Sequence, residues 1–145
     1  MGLTLSCAQD ETCRDDKQAS FQIGFADFET GRAASVDSLQ VFVLDADGQP
    51  MDSVLNNKQA RISTLKLPLN KTANTTVFIL QFLELYNDTL HVFYENTEYF
   101  ISYPCGMTIA HQLDTVISSN HVIKDLKILQ KKVDTNEMQH VQILL

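Results

Sequence analysis

The strongest constraint on this chain is a repeated alternation of apolar and polar residues in short runs, each bounded by residues that favour turns. A period of two places successive side chains on opposite faces of a β-strand. The clearest case is the stretch 88–106, which contains two alternating runs around the polar residues 95–98. Because Asn96 readily adopts a positive φ angle, we predict a hairpin with its turn at 95–98 and its end at Pro104. The residues that share a face are Leu90, Val92 and Tyr94 in the first strand and Tyr99, Ile101 and Tyr103 in the second.

The same alternation recurs outside the hairpin and predicts an all-β fold. Residues 109–117 are the exception, since their apolar spacing suits a short helical turn as well as a strand, and we expect irregular structure there. Short strands separated by turn signals, with no sustained helical period, favour an antiparallel immunoglobulin-like β-sandwich of about seven to nine strands. The other predicted strands cover residues 21–28, 37–44, 61–69, 75–85, 122–133 and 141–145, with a short extended piece near Val54.

Length and charge limit the classes of protein to which the chain can belong. Its 145 residues suit one domain of ordinary size. Residues 1–18 are charged and lack a hydrophobic period, so we assign them as a signal remnant and tether, and residues 19–145 as a single β-sandwich domain. The net charge of -7 disfavours nucleic acid as a partner, because phosphate binding requires a basic surface. The most apolar run, residues 77–85, is far shorter than the ~20 residues of a membrane-spanning helix.

Cys7 is a candidate for lipidation. It follows the apolar and small residues 3–6, a pattern that resembles the end of a bacterial lipoprotein signal peptide. The match is imperfect, because Thr4 stands where leucine is more usual. A lipid on Cys7 would anchor the chain to a membrane without spanning it. The alternative is an incidental surface cysteine.

Cys13 and Cys105 form the remaining pair of cysteines. In an oxidising compartment a disulfide between them would tie the N-terminal segment to the end of the predicted hairpin. A loop of this length contributes about 4 to 5 kcal/mol in the chain-entropy model. The alternative is two thiols that never meet, since connectivity does not follow from sequence.

Cation sites have weak support in the sequence. Asp45 and Asp47 precede Gly48 and are the one local carboxylate cluster at a turn, but the later ligands of a calcium-binding loop are missing. We therefore favour a simple turn, with calcium as the open alternative. The histidines are too scattered for a zinc motif. They are His91, His111, His121 and His140. We predict no metal and no cofactor.

No motif for catalysis stands out either. Cys105 and His111 have the residue types of a nucleophile and its base, but a catalytic cysteine needs a lowered pKa and an orienting partner, and a disulfide would silence it. Gly-rich phosphate loops and the nucleophile elbow of hydrolases are absent. We expect a protein that is not an enzyme, with no catalytic residue.

Surface features leave two further alternatives. Sequons at Asn70, Asn74 and Asn87 would suit a glycosylated ectodomain, although Asn and Thr also gather at β-turns for backbone reasons. Aromatic residues such as Phe93 and Tyr99 would stack on a sugar or a partner if they lay on an outer face. If they point inward, they fill the sandwich.

Several short motifs in order resemble an uncharacterised domain family of small lipoproteins from Bacteroides-like gut anaerobes. The resemblance covers nearly the whole chain after Cys7, and it implies an envelope location and a β-sandwich but no catalytic residue. The motifs are Cys7, 10–14, 68–70, 88–90, 99–102, 105–106 and 120–123.

Together these observations predict a cell-envelope lipoprotein that acts as a non-enzymatic binding or assembly module. We expect it to be anchored to the outer membrane through Cys7, facing the periplasm or the cell surface, with a protein or glycan partner that the sequence does not identify. The alternative is a carbohydrate-binding or enzyme-accessory module that uses exposed aromatic residues.

Overall fold

The structure is a computed structural model, and it describes residues 19–82, 86–136 and 138–145. Within these residues ten strands form two sheets. Neighbouring strands are antiparallel except for one parallel pair, β1 with β10. The strands are β1 (Phe21–Ala26), β2 (Leu39–Leu44), β3 (Pro50–Gln59), β4 (Thr64–Leu67), β5 (Thr75–Phe82), β6 (Tyr86–Ser102), β7 (Gly106–Ser118), β8 (Asp125–Ile128), β9 (Lys132–Val133) and β10 (Val141–Leu144).

The two sheets pack face to face and confirm the expected all-β, sandwich-like fold. The smaller sheet has the order β4-β1-β10-β8, and the larger has the order β3-β2-β5-β6-β7-β9. Phe21 of β1 stacks on Phe78 of β5 with ring centroids 6.5 Å apart, so the aromatic contact joins the sheets. One predicted strand, 122–133, is two strands in the structure: β8 belongs to the smaller sheet and β9 to the larger. The count of about seven to nine strands was therefore slightly low.

Strand β5 shows why the alternation of apolar and polar residues predicts a strand and its buried face correctly. Phe78, Leu80 and Phe82 are buried in the core, whereas Val77 and Ile79 are partly exposed on the outer face. Side chains two residues apart project to the same side of a strand, so one sequence run supplies both the core and the outer surface. The two neighbours β2 and β6 make β5 a central strand.

The predicted hairpin is wrong in its turn. Residues 95–98 lie in the middle of β6, and the chain reverses at residues 103–105. Gly106 has a φ of 72°, a conformation that glycine adopts without steric cost. The partner of β6 is β7, which includes residues 109–117, so the expectation of irregular structure there is also wrong. Residues 95–98 are polar, yet they continue the strand because residues 109–112 of β7 pair with them.

A buried carboxylate fixes one of the crossovers from the larger sheet to the smaller one, the connection from β7 to β8. Asp88 of β6 is fully buried and accepts hydrogen bonds from Ser119 Oγ at 2.7 Å and from the backbone N–H groups of His121, Val122 and Ile123 at 2.5, 2.7 and 2.8 Å. Burial alone would raise the pKa of Asp88, but these donors outweigh it and lower the pKa. The loop therefore gains a fixed path between β7 and β8, and Ile123 is placed in the core.

Replacing the Asp88 carboxylate is expected to destabilise the fold. In Asp88→Asn one acceptor oxygen becomes an NH2 group that faces backbone donors, and we expect a loss of roughly 2 to 4 kcal/mol in the free energy of unfolding at neutral pH. Urea denaturation measures it. Asp114→Asn, at an exposed position of β7, is the matched control. A loss no larger than that of the control would show that the crossover does not depend on Asp88.

Candidate functional site

Strands β6 and β7 continue beyond the larger sheet as a two-stranded arm, which we define as residues 97–102 and 106–110. Strand β5 pairs with β6 only as far as Phe93, and β9 meets β7 only at His111 and Gln112. Beyond these points the two strands pair only with each other, as far as the described residues show. At about 3.4 Å per residue the arm is roughly 20 Å long.

Three large apolar side chains are exposed at the end of the arm, and we call them the tip cluster. Phe100 and Met107 face each other across the two strands, and Tyr103 lies in the turn. Their exposed fractions are 52%, 55% and 93%. The rings of Phe100 and Tyr103 meet edge to face, with centroids 5.6 Å apart and planes at 78°. Grouped exposed apolar side chains on a protruding element are typical of an interaction surface.

The sequence-predicted aromatic candidates lie elsewhere. Phe93 is partly exposed on the outer face of the larger sheet, where its ring stacks on that of His91 at 6.2 Å. Tyr99 is partly exposed, with Lys132 Nζ 6.0 Å from its ring centroid. The sequence did not predict the tip cluster, because the predicted turn lies at residues 95–98, whereas the chain reverses at residues 103–105. Pro104 and Gly106 were the available signal, since a turn at these residues makes Tyr103 a turn residue.

A buried histidine holds the base of the arm. His111 is 1% exposed, its Nδ1 lies 2.6 Å from Asn96 Oδ1, and its ring contacts Tyr94 edge to face. Asn96 Nδ2 donates to the carbonyl oxygens of Lys71 and Ala73, which orients the amide so that Oδ1 faces the ring. His111 Nδ1 therefore carries the proton. Its Nε2 is buried and has no hydrogen-bond partner among the described residues.

A closed ring of hydrogen bonds lies beside this histidine. The Asn70 backbone N–H donates to Thr76 Oγ1 at 3.1 Å, and Tyr94 Oη donates to the Asn70 carbonyl at 2.8 Å. Thr76 Oγ1 and Tyr94 Oη are 2.7 Å apart, and Thr76 supplies that proton because the Tyr94 proton is already used. Burial raises the pKa of Tyr94. These side chains fix the loop 70–74 against β6.

His140 has a structural role at the other side of the core. The ring Nδ1 of His140 accepts a hydrogen bond from the Gln22 backbone N–H at 2.9 Å. The backbone N–H of His140 donates to the Gln22 carbonyl, also at 2.9 Å. The ring is fully buried and stacks on Phe21. His140 thus joins the start of β10 to β1, where the parallel pair begins.

The remaining predicted site residues do not converge. Cys105 lies in the turn of the arm and His111 at its base. They are six residues apart along the chain, roughly 20 Å in extended structure, so they do not form a nucleophile and base pair. His121 is a loop residue whose Nδ1 contacts the Asn87 carbonyl at 3.0 Å. Among the described residues no three His, Cys, Asp or Glu side chains group together as metal ligands.

The Asp45–Gly48 segment is a turn. Asp45 Oδ1 accepts from the backbone N–H groups of Asp47 and Gln49 at 2.9 Å each, and Gly48 has a φ of 80°. The sequon asparagines Asn70, Asn74 and Asn87 are all exposed. Asn70 uses its side chain locally, since Oδ1 accepts from Thr72.

The proposed anchor and disulfide reach beyond the described part of the chain. Cys7 and Cys13 both lie outside the described residues, so the lipidation and the Cys13–Cys105 disulfide stay predictions. None of the described residues forms a helix long and apolar enough to cross a membrane.

Acid should weaken the fold through its two buried histidines. Burial, with the charge of Lys71 second, lowers the pKa of His111 from 6.5 to about 4, and burial also lowers the pKa of His140. The unfolded chain therefore binds these protons first as the pH falls. The stability contributed by neutral His111 is complete above pH 6.5 and is lost as the pH falls towards about 4.

We expect His111 to add up to about 1.4 kcal/mol per pH unit to the slope of unfolding free energy in that window, and His140 to steepen the slope in the same direction. Urea denaturation between pH 7 and 4.5 measures the slope, with His111→Gln and His140→Gln separately and combined. Each variant should have a shallower profile than the original chain, and the double variant the shallowest. Parallel profiles for the original chain and His111→Gln would contradict the assignment.

Comparison with known proteins assigns a family but no activity. No curated protein and no solved structure matches the chain. The model of a family of unknown function, DUF6452, matches residues 38–145, which is more than half of the chain and includes every described strand except β1. The chain therefore belongs to the family of unknown function DUF6452.

Proposed function

We propose that this protein is a non-enzymatic binding module of the bacterial cell envelope that contacts a partner protein through the tip cluster. The observation that carries the proposal is the exposure of Phe100, Tyr103 and Met107 together at the end of the arm. Burying these side chains against a partner would contribute on the order of 5 kcal/mol of favourable hydrophobic free energy, before the cost of association is subtracted.

The backbone of the arm supports a protein partner in particular. Each strand of the arm has one edge without a strand partner among the described residues. An exposed edge accepts an added strand through main-chain hydrogen bonds, while neighbouring side chains supply specificity. The tip cluster would then provide the apolar anchors at the end of such an edge.

A carbohydrate-binding or enzyme-accessory module is the alternative. Sugar rings pack flat against aromatic faces, so a platform for several sugars presents its rings side by side in one plane. The planes of Phe100 and Tyr103 are 78° apart, and one sugar ring cannot lie flat on both. This geometry favours a protein partner. Glycan-array binding that disappears in Tyr103→Ala would reverse the preference.

The envelope location is supported by the sequence. Cys7 resembles a lipidation site, and the short motifs along the chain resemble lipoproteins of gut anaerobes. We propose that the lipid on Cys7 anchors the protein to the outer membrane, facing the periplasm or the cell surface. A Cys13–Cys105 disulfide would attach the tether to the turn of the arm.

Photocrosslinking tests the tip cluster. With a benzoylphenylalanine at position 103 in the host envelope, we expect one discrete protein adduct, identified by mass spectrometry and then purified for binding measurements. Phe100→Ser should weaken binding of that partner at least roughly tenfold, as expected for loss of an aromatic anchor. Phe28→Ser is the matched control, since Phe28 is 48% exposed and lies outside the arm. Equal crosslinking from positions 103 and 28 would contradict the proposal.

Mass spectrometry tests the anchor and the disulfide in one sample. From full-length protein made in its host, we expect an acylated Cys7 peptide and, without reduction, a linked pair of peptides containing Cys13 and Cys105. Cys7→Ser should release the protein from the membrane fraction but leave the linked pair intact. An unacylated Cys7 peptide would remove the anchor, and separate Cys13 and Cys105 peptides would remove the disulfide.

A further inference from the structure

A cleft of about 680 Å³ lies between the turn after β2 and the connection from β4 to β5. Small-molecule sites usually have volumes in this range and mostly apolar walls. None of the residues of the tip cluster contributes to it. The main apolar side chains of its walls are Val43, Met51, Leu55, Leu69, Ala73 and Val77.

One wall of the cleft is held in place by hydrogen bonds from β6. Asn70 and Ala73 belong to the wall, and their carbonyl oxygens accept from Tyr94 Oη at 2.8 Å and from Asn96 Nδ2 at 2.7 Å. The Tyr94 backbone N–H donates to the Asn74 carbonyl at 2.9 Å. Because these donors come from a central strand of the sheet, the cleft exists before any ligand arrives.

Two polar side chains of the walls, those of Thr76 and Asn70, already form hydrogen bonds within the protein. Thr76 Oγ1 accepts from the Asn70 N–H and contacts Tyr94 Oη. Asn70 Oδ1 accepts from Thr72. A ligand that offered hydrogen bonds to these groups would gain little from them, whereas a hydrocarbon group would gain from the apolar walls.

The rim of the cleft carries negative charge. Asp45 is the one charged side chain among the described lining residues, and it is exposed. Its Oδ1 caps the turn, whereas Oδ2 has no hydrogen-bond partner in the described part of the chain. Asp47 follows in the same exposed turn. None of the described residues that line the cleft is Lys, Arg or His. The charge at the rim therefore complements a cation and repels a carboxylate.

We propose that this cleft binds a small cationic amphiphile, with the hydrocarbon part against the apolar walls and the cationic group beside Asp45. The proposal goes beyond the function assigned to the tip cluster. Because the two surfaces share no residue, the failure of either proposal leaves the other intact.

Nuclear magnetic resonance titration of the 15N-labelled protein tests the proposal with octylammonium, octanol and octanoate, all below the concentrations at which they aggregate. Octylammonium should shift the amide signals of cleft residues such as Leu55, Ala73 and Val77. Its Kd should be about fivefold lower than that of octanoate, as expected for a contact with an exposed carboxylate. Asp45→Asn keeps an oxygen for the turn and should make octylammonium bind no better than octanol.

A matched pair of variants separates the cleft from general apolar surface. Met51 lines the cleft and Met138 does not, and both are 48% exposed. Met51→Arg should weaken octylammonium binding severalfold and favour octanoate, whereas Met138→Arg should change neither. Well-dispersed spectra establish that both variants are folded. The proposal is overturned if octanoate binds the original chain as well as octylammonium, if the two variants behave alike, or if signals move only at the tip cluster.

Discussion

The crossover from β7 to β8, which joins the two sheets, depends on one buried carboxylate. Asp88 lies in β6 of the larger sheet, and the backbone groups that it binds belong to the loop that leads from β7 into β8 of the smaller sheet. The Thr89 N–H also donates to Ser119 Oγ, and the Ser119 N–H donates to the Thr89 carbonyl. A fully buried charge is tolerable only when donors replace the water it has lost. Here the same donors direct the chain from one sheet to the other.

The base of the arm joins the two surfaces for which we propose ligands. Asn96 is paired with His111 across β6 and β7, and its amide also holds the carbonyl of Ala73 in the cleft wall. One side chain therefore helps to fix both the direction of the arm and the shape of the cleft. Buried polar groups of this kind favour a single arrangement, because any alternative would leave them without partners. The neutral state of His111 is part of that arrangement.

The two buried histidines show how a polar core can limit a fold to neutral conditions. His140 joins β1 to β10, and His111 supports the arm. Each imidazole ring is tolerated at its buried position only in the neutral form, because burial penalises the protonated, charged ring. Asp88 has the opposite behaviour, since its lowered pKa keeps it charged until more acidic conditions. Acid therefore acts first on the histidines and later on the crossover.

The sequence by itself determined the all-β class and most of the core, because the alternation of side chains along a strand is a local property. Leu90, Val92 and Tyr94 were predicted to share one face for this reason, and all three are buried in the core. Pairing is not local. Residues 95–98 have turn-like composition, yet they continue β6 because β7 lies beside them and Asn96 finds partners in the loop 70–74. Tertiary structure alone decided that His111 is buried, that Tyr103 is exposed, and that distant segments enclose a cleft, since each of these depends on which strand becomes the neighbour of another.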